Sequence, residues 1–197
     1  MMDEQVKHKI LNTALRLFRQ HGTKSTSMDD IAEVLAISKK TLYAHYSSKR
    51  ALVKDTINHN FKNHERTISK ILAEDLTALE KFMKIYEYGI SFLISYHPSY
   101  YYDIKKYHRE LSTEYEQRKN KMISDKFLGL LKQAQEDGDI IPQANLELFC
   151  KLYISEMDEH LATSSLSKKY PIHELLNHLI VFNLRGIATD PSKIAVH

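Results

Sequence analysis

Lys39, Lys40, Thr41, Tyr43 and His45, introduced by Ser38 and followed by Lys49, gather ammonium, hydroxyl and imidazole donors into one short stretch of the chain. Such donors suit the oxygens of a phosphate backbone and the acceptor edges of bases, because an N–H or O–H aimed at a charged oxygen makes a charge-assisted hydrogen bond. Thr26 and Ser27 stand upstream where a helix can begin, and Lys49 stands at the start of another. The exposed amides and positive end of a helix start attract phosphate in the same way. Thr26, Ser27, Ser38, Lys39, Lys40, Thr41, Tyr43, His45 and Lys49 are therefore the candidate DNA contacts.

Catalytic and metal chemistry find less support. The chain has 11 His, but none in an HExxH arrangement, and it has neither a Cys cluster nor the paired Glu-x-x-His set of di-iron bundles. Glu156 and His160 are one turn apart; a surface or intersubunit hydrogen bond is a simpler reading of them than a shared metal. His59 and His64, like His173 and His178, have a five-residue spacing that splays side chains around a helix. No nucleophile elbow, P-loop or Gly-rich phosphate cradle is present. No cofactor, metal or enzymatic activity is expected. The single Cys150 excludes an internal disulfide and, lying in an apolar helical stripe, reads as a reduced buried thiol.

The elements that would position the donors follow from periodicity and caps. Val6, Ile10, Ala14, Leu17 and Phe18 recur at helical spacing, and Gly22 supplies a residue able to take positive φ, so a first helix stops near His21. Ser27 with Asp30 three residues on fits a capping box, which starts a second helix near Met28. Ile31, Ala32 and Leu35 form its apolar face. Ser38 can cap a third helix from Lys39 to about Tyr46, with Leu42 toward a small core and Tyr43 and His45 on the outer surface. Two helices so closely joined make a helix-turn-helix, whose second member places its N-terminal residues, here Lys39, Lys40 and Thr41, at the base edges of the major groove.

These residues resemble the TetR/AcrR family of transcriptional regulators, whose N-terminal pattern is matched by Ala14, Leu17-Phe18, Gly22, Thr26, Ile31-Ala32, Ser38, Thr41-Leu42-Tyr43, His45 and Lys49. Three positions depart from it. Ala36 stands where the family usually has Gly, so either the turn avoids positive φ or Ala36 carries strain of about 1 kcal/mol. Lys40 replaces a common Gly or Pro and adds charge to the reading surface, and Tyr46 replaces Phe.

Composition agrees with this division. Residues 1–50 contain nine Lys or Arg against five Asp or Glu, whereas the remainder contains 19 against 20, so an overall net charge of +3 conceals a basic N-terminal unit. Its placement on the motif is what gives that excess weight. The N-terminus is too charged for a secretion signal and no apolar run approaches the roughly 20 residues of a membrane span, so a cytoplasmic protein without membrane association is expected.

Beyond Leu52 the chain reads as long helices with few breakers. The expected fold class is all-α, about nine helices in two domains: a helix-turn-helix DNA-binding domain over 1–50 and a helical ligand-binding and dimerisation domain over 51–197. A connector helix runs from Ser48 to about Leu72, another helix from about Leu76 to Tyr96, a break follows at Pro98, and two more cover Tyr100 to Arg109 and Ser112 to Glu136. The middle region is rich in aromatics. The resemblance implies a pocket for a small-molecule effector there, and Phe82, Tyr86, Tyr96, Tyr100, Tyr107 and Tyr115, with Met157, are its candidate lining, although Tyr packs equally well as ordinary core.

Leu146, Phe149, Cys150, Tyr153, Ile154, Met157 and Leu161 form one late apolar stripe, and Leu175, Leu176, Leu179, Ile180, Leu184 and Ile187 another. Core is the simplest reading of both. The resemblance implies that these two helices pair with their copies across a two-fold axis, giving a homodimer with Phe149, Tyr153, Met157, Leu161, Leu176, Leu179, Ile180 and Leu184 as candidate interface residues. Two coupled readers would match a palindromic operator. The expected function is thus a dimeric, ligand-responsive regulator of the repressor kind, released from its double-stranded DNA operator by an inducer; the alternative is an all-helical enzyme or small-molecule carrier with a merely solvated basic face.

Overall fold

A computed structural model describes residues 2–97, 99–155 and 169–195. Nine α-helical runs and a short 3-10 turn over Pro191–Lys193 are present among the described residues. The first three are α1 (Met2–Ser25), α2 (Met28–Val34) and α3 (Lys39–His45), followed by α4 (Lys49–Leu72), α5 (Ala78–Ile94) and α6 (Ser99–Tyr107). In α7, Arg109–Met122, a π turn over Ile123–Phe127 and Leu128–Glu136 follow one another unbroken. Leu146–Cys150 continues through a π turn over Lys151–Ser155 to make α8, and Ile172–Leu176, Asn177–Val181 and Phe182–Ile187 make α9. The all-α expectation holds.

Local sequence explains most helix starts. α5 begins two residues later than its apolar pattern suggests, because Thr77 caps it: the Glu80 amide donates to Thr77 Oγ1 at 3.2 Å and the Thr77 amide donates to Glu80 Oε2 at 2.8 Å. α7 begins earlier than expected. His108 alone separates it from α6, and the His108 amide still donates to the Ile104 carbonyl at 3.0 Å. α7 closes on Gly138, whose φ of 84° is the left-handed geometry a helix C-terminus favours. Pro98 lies outside the described residues.

The chain forms two compact units that cut across the expected boundary at residue 50. One comprises Met1–Thr67 with Ser95–Tyr115, the other Ile68–Ile94 with Glu116–His197. In the first, Ile10, Ala14, Phe18, Ile31, Leu42, Leu52 and Val53 are fully buried, and α6 packs on α1. That packing is why residues 95–115 join the N-terminal helices. In the second, α5, α7, α8 and α9 surround a core that includes Phe82, Ile85, Leu131, Ile180 and Leu184. An isolated antiparallel bridge between Ile140 and Ala188 ties the turn after α7 to the end of α9.

Candidate nucleic-acid interface

The reader is built on the end of α1. Gly22 has φ 82° and ψ 165°, and a Cβ there would lie 2.5 Å from Ser99 Oγ and 2.6 Å from Asp103 Oδ2. Glycine is required twice, by conformation and by close approach. Asp103, only 4% exposed on α6, accepts a hydrogen bond from the Lys24 amide at 2.7 Å. Thr26 is buried and donates its hydroxyl to the Gly22 carbonyl at 3.0 Å, so its side chain braces the entry to α2 rather than facing a phosphate, a correction to its expected role.

Ser27 opens α2 with the expected capping box. The Asp30 amide donates to Ser27 Oγ at 3.1 Å, and the Ser27 amide donates to Asp30 Oδ2 at 2.7 Å. Those bonds hold the Asp30 carboxyl below its usual range. Ser27 is exposed and keeps its own O–H to donate outward.

Between α2 and α3 the chain turns through Ala36 at φ 52°. The Ala36 amide donates to the Glu33 carbonyl and the Ile37 amide to the Ala32 carbonyl, both at 3.0 Å, which closes α2 tightly. Of the two alternatives open at Ala36, the strained one is present.

Ser38 caps α3. The Thr41 amide donates to Ser38 Oγ at 3.0 Å, and the two hydroxyls lie 2.8 Å apart. Leu42, fully buried, anchors the helix, while Lys39, Lys40, Thr41 and Tyr43 are exposed. Lys39 Nζ lies 2.6 Å from Asp29 Oδ2, a pairing that raises its ammonium pKa and ties α3 to α2. His45 departs from expectation. It follows Leu42 by three residues, one turn along the buried face, and its side chain is only 11% exposed, with Nδ1 3.5 Å from Asp3 Oδ1.

Lys49 begins α4 half-buried, with Nζ donating to the Lys24 carbonyl at 3.3 Å. Burial pushes its ammonium pKa down, opposed by Asp103 and Asp30. A docked phosphate would favour the charged form. Lys24, Arg50 and Asp103 thus belong to this neighbourhood but carry no local sequence signal, since Lys24 and Asp103 meet across 79 positions.

The aromatic candidates are divided between the two compact units. Phe82 and Tyr86 are buried in one unit, where burial pushes the Tyr86 phenol up. Tyr96, Tyr100 and Tyr115 belong to the other, with Tyr96 and Tyr100 ring centres 4.6 Å apart, Tyr115 5.2 Å from Phe61, and the Arg19 guanidinium 4.3 Å above Tyr96. Tyr107 is exposed on the surface. Met157 lies outside the described residues.

The dimer candidates also divide. Ile180 and Leu184 are fully buried and Phe149 nearly so within the core of their own unit, so they cannot present apolar surface to a second chain. Their role is corrected to core. Tyr153 and Leu179 are half-buried. Leu148, Leu152 and Phe182, which periodicity did not single out, stand 51%, 49% and 41% exposed on the same helices. Met157, Leu161, Glu156 and His160 lie outside the described residues, as does the side chain of Leu176.

Among the described residues no three His, Cys, Asp or Glu gather as a metal site, and no helix is long and apolar enough to cross a membrane.

Residues 10–56 match the family model for bacterial regulatory proteins of the tetR family. The HTH-type transcriptional regulator YvaF of Bacillus subtilis (strain 168) is 29% identical over 191 residues, covering 92% of this chain and 95% of that protein. YuxN of the same organism is 40% identical over 63 residues, covering 32% of this chain and 21% of YuxN. The negative regulator IcaR of the Staphylococcus aureus biofilm operon icaADBC is 36% identical over 52 residues, covering 26% of this chain and 28% of IcaR. In fold, the chain is similar to a TetR-family regulator from Agrobacterium tumefaciens, with a TM-score of 0.71 at 17% identity, covering 95% of this chain and 100% of that one. It is also similar to a gamma-butyrolactone receptor, with a TM-score of 0.64 at 16% identity, covering 97% and 93%. Residues 10–56 thus form a capped helix-turn-helix of the tetR family, within an all-helical chain that shares the fold of TetR-family transcriptional regulators.

Proposed function

We propose that the chain acts as a homodimer on a palindromic DNA operator, represses the adjacent promoter, and is released when a small molecule binds its helical C-terminal region. The observation that carries the reading is α3: a helix capped by Ser38 and anchored by Leu42 that exposes Lys40, Thr41 and Tyr43 together, with Lys39 beside them. Ser27 and Lys49 flank that surface as phosphate donors. Repression is supported by the negative regulator among its relatives, and release by a small molecule by the receptor among its fold neighbours. The functional division remains at residue 50, with 51–197 carrying effector binding and dimerisation, although the compact unit of the reader also recruits residues 51–67 and 95–115. The exposed leucines and phenylalanine of α8 and α9 supply an apolar face for a second copy.

Selection of bound duplexes from a random pool tests this directly. A recovered palindrome with half-sites about one DNA turn apart, no longer selected by Lys40→Ala and Tyr43→Ala variants, is the expected result. Unchanged sequence preference in both variants would overturn the assignment of α3. The reading of the chain as an all-helical enzyme or carrier leaves the ordered family match over residues 10–56 without a role.

A further inference from the structure

α6 belongs to the same compact unit as the helix-turn-helix, and the run Lys105-Lys106-Tyr107-His108-Arg109 leads from its C-terminal end into the start of α7. Tyr107 is exposed and stands between two ammonium groups, Lys24 Nζ 5.1 Å and Lys106 Nζ 5.6 Å from its ring centre. Lys106 also donates to Tyr102 Oη at 2.8 Å, over a ring 5.2 Å away. The patch is continuous with the reader, because Lys49 Nζ donates to the carbonyl of Lys24. His108 registers the crowding of cations: burial first, then the charges of Lys49 and Arg50, push its imidazole pKa down.

Three carboxylates of this unit are already engaged. Glu110 pairs with Arg50, Asp30 closes the Ser27 cap, and Asp103 is buried against the Lys24 amide. Lys24 and Lys106 are held on aromatic rings, so fixing them on an anion costs less side-chain entropy than for a lysine extended into water. We propose that this aromatic-backed basic patch on α6 is a second DNA contact, gripping backbone phosphates just outside the bases read by α3 and independent of their sequence. A duplex is the occupant because the patch extends a phosphate-facing edge already formed by Lys49, and because a row of separated lysines matches a repeating phosphate chain better than a single small anion.

The inference rests on the operator-binding reading, and its test separates the two. The probe is the palindrome selected from a random pool, prepared both trimmed to its edges and with about ten further base pairs, one helical turn, on each side. The wild-type chain is expected to bind the longer duplex more tightly and with a steeper salt dependence. Lys105→Gln/Lys106→Gln, at two exposed positions, should bind both duplexes alike, with a log–log salt slope shallower by about 0.9 for each phosphate no longer neutralised. Lys105→Arg/Lys106→Arg should restore the length dependence, which a folding defect would not permit. If the glutamine variant keeps the wild-type slope and length dependence while Tyr43→Ala abolishes sequence preference, the patch is not a DNA contact and the reader stands. If Tyr43→Ala leaves sequence preference intact, the reader assignment falls, and the patch assignment falls with it.

Discussion

Ala36 takes φ 52°, a conformation that brings the Cβ of an L-residue close to the following carbonyl. Ala36→Gly should raise stability by on the order of 0.5 kcal/mol, the relief of strain less the greater freedom of glycine in the unfolded chain. Urea denaturation measures it, and a lower midpoint in the variant would show that the turn bears no strain. His64 carries the chain's clearest acid sensitivity. Burial, then the charge of Arg19, pushes its imidazole down to about 4 from a usual 6.5. Between those values the unfolded chain is protonated at His64 and the folded chain is not, so stability falls as pH falls, by about 2 kcal/mol from pH 7 to 5. Denaturation midpoints of wild type and His64→Gln should converge on acidification; parallel pH profiles would remove His64 as the cause.

At the scale of elements, α3 has seven residues and is too short to persist without its cap and its anchor. Ser38→Ala removes the acceptor for the Thr41 amide and should cost about 1 kcal/mol. Amide exchange in α3 should quicken and operator affinity should fall even though Ser38 need not touch DNA; unchanged exchange would mean that Leu42 packing alone holds the helix. The caps at Ser27 and Ser38 and the break at Gly22 were legible because each bond closes within three or four residues. Thr26 was not. Its hydroxyl is consumed by the carbonyl of Gly22, and its burial depends on how the neighbouring helices pack around that turn. His45 was misplaced for a related reason: the rotation of α3 about Leu42, set by the core, decides which of its polar side chains meet solvent.

For the whole molecule, α8 and α9 present Leu148, Leu152 and Phe182 outward while Ile180 and Leu184 face inward. Leu148→Glu/Leu152→Glu should therefore leave the fold intact and yield monomers in sedimentation velocity, with palindrome affinity reduced at least about tenfold, equivalent to 1.4 kcal/mol, and half-site affinity unchanged. A dimer persisting in this variant would place the two-fold contact elsewhere. Apolar periodicity names a stripe on each helix correctly as packing surface. It cannot divide that stripe between the chain's own core and a partner, because burial within a unit depends on which distant helix arrives.

The sequence by itself determined the helical class, the order of caps and breaks, the helix-turn-helix and the exposed donors Lys39, Lys40, Thr41 and Tyr43. Each of these depends on neighbours within one or two turns, where spacing and side-chain chemistry suffice. Tertiary structure decided that α6 docks at Gly22 through Asp103, that the aromatic residues fall into separate clusters, that His45 turns toward Asp3, and that a basic face continues from Lys49 to Lys106. Those arrangements depend on contacts between segments far apart in the chain, made when burial of apolar surface brings the helices together.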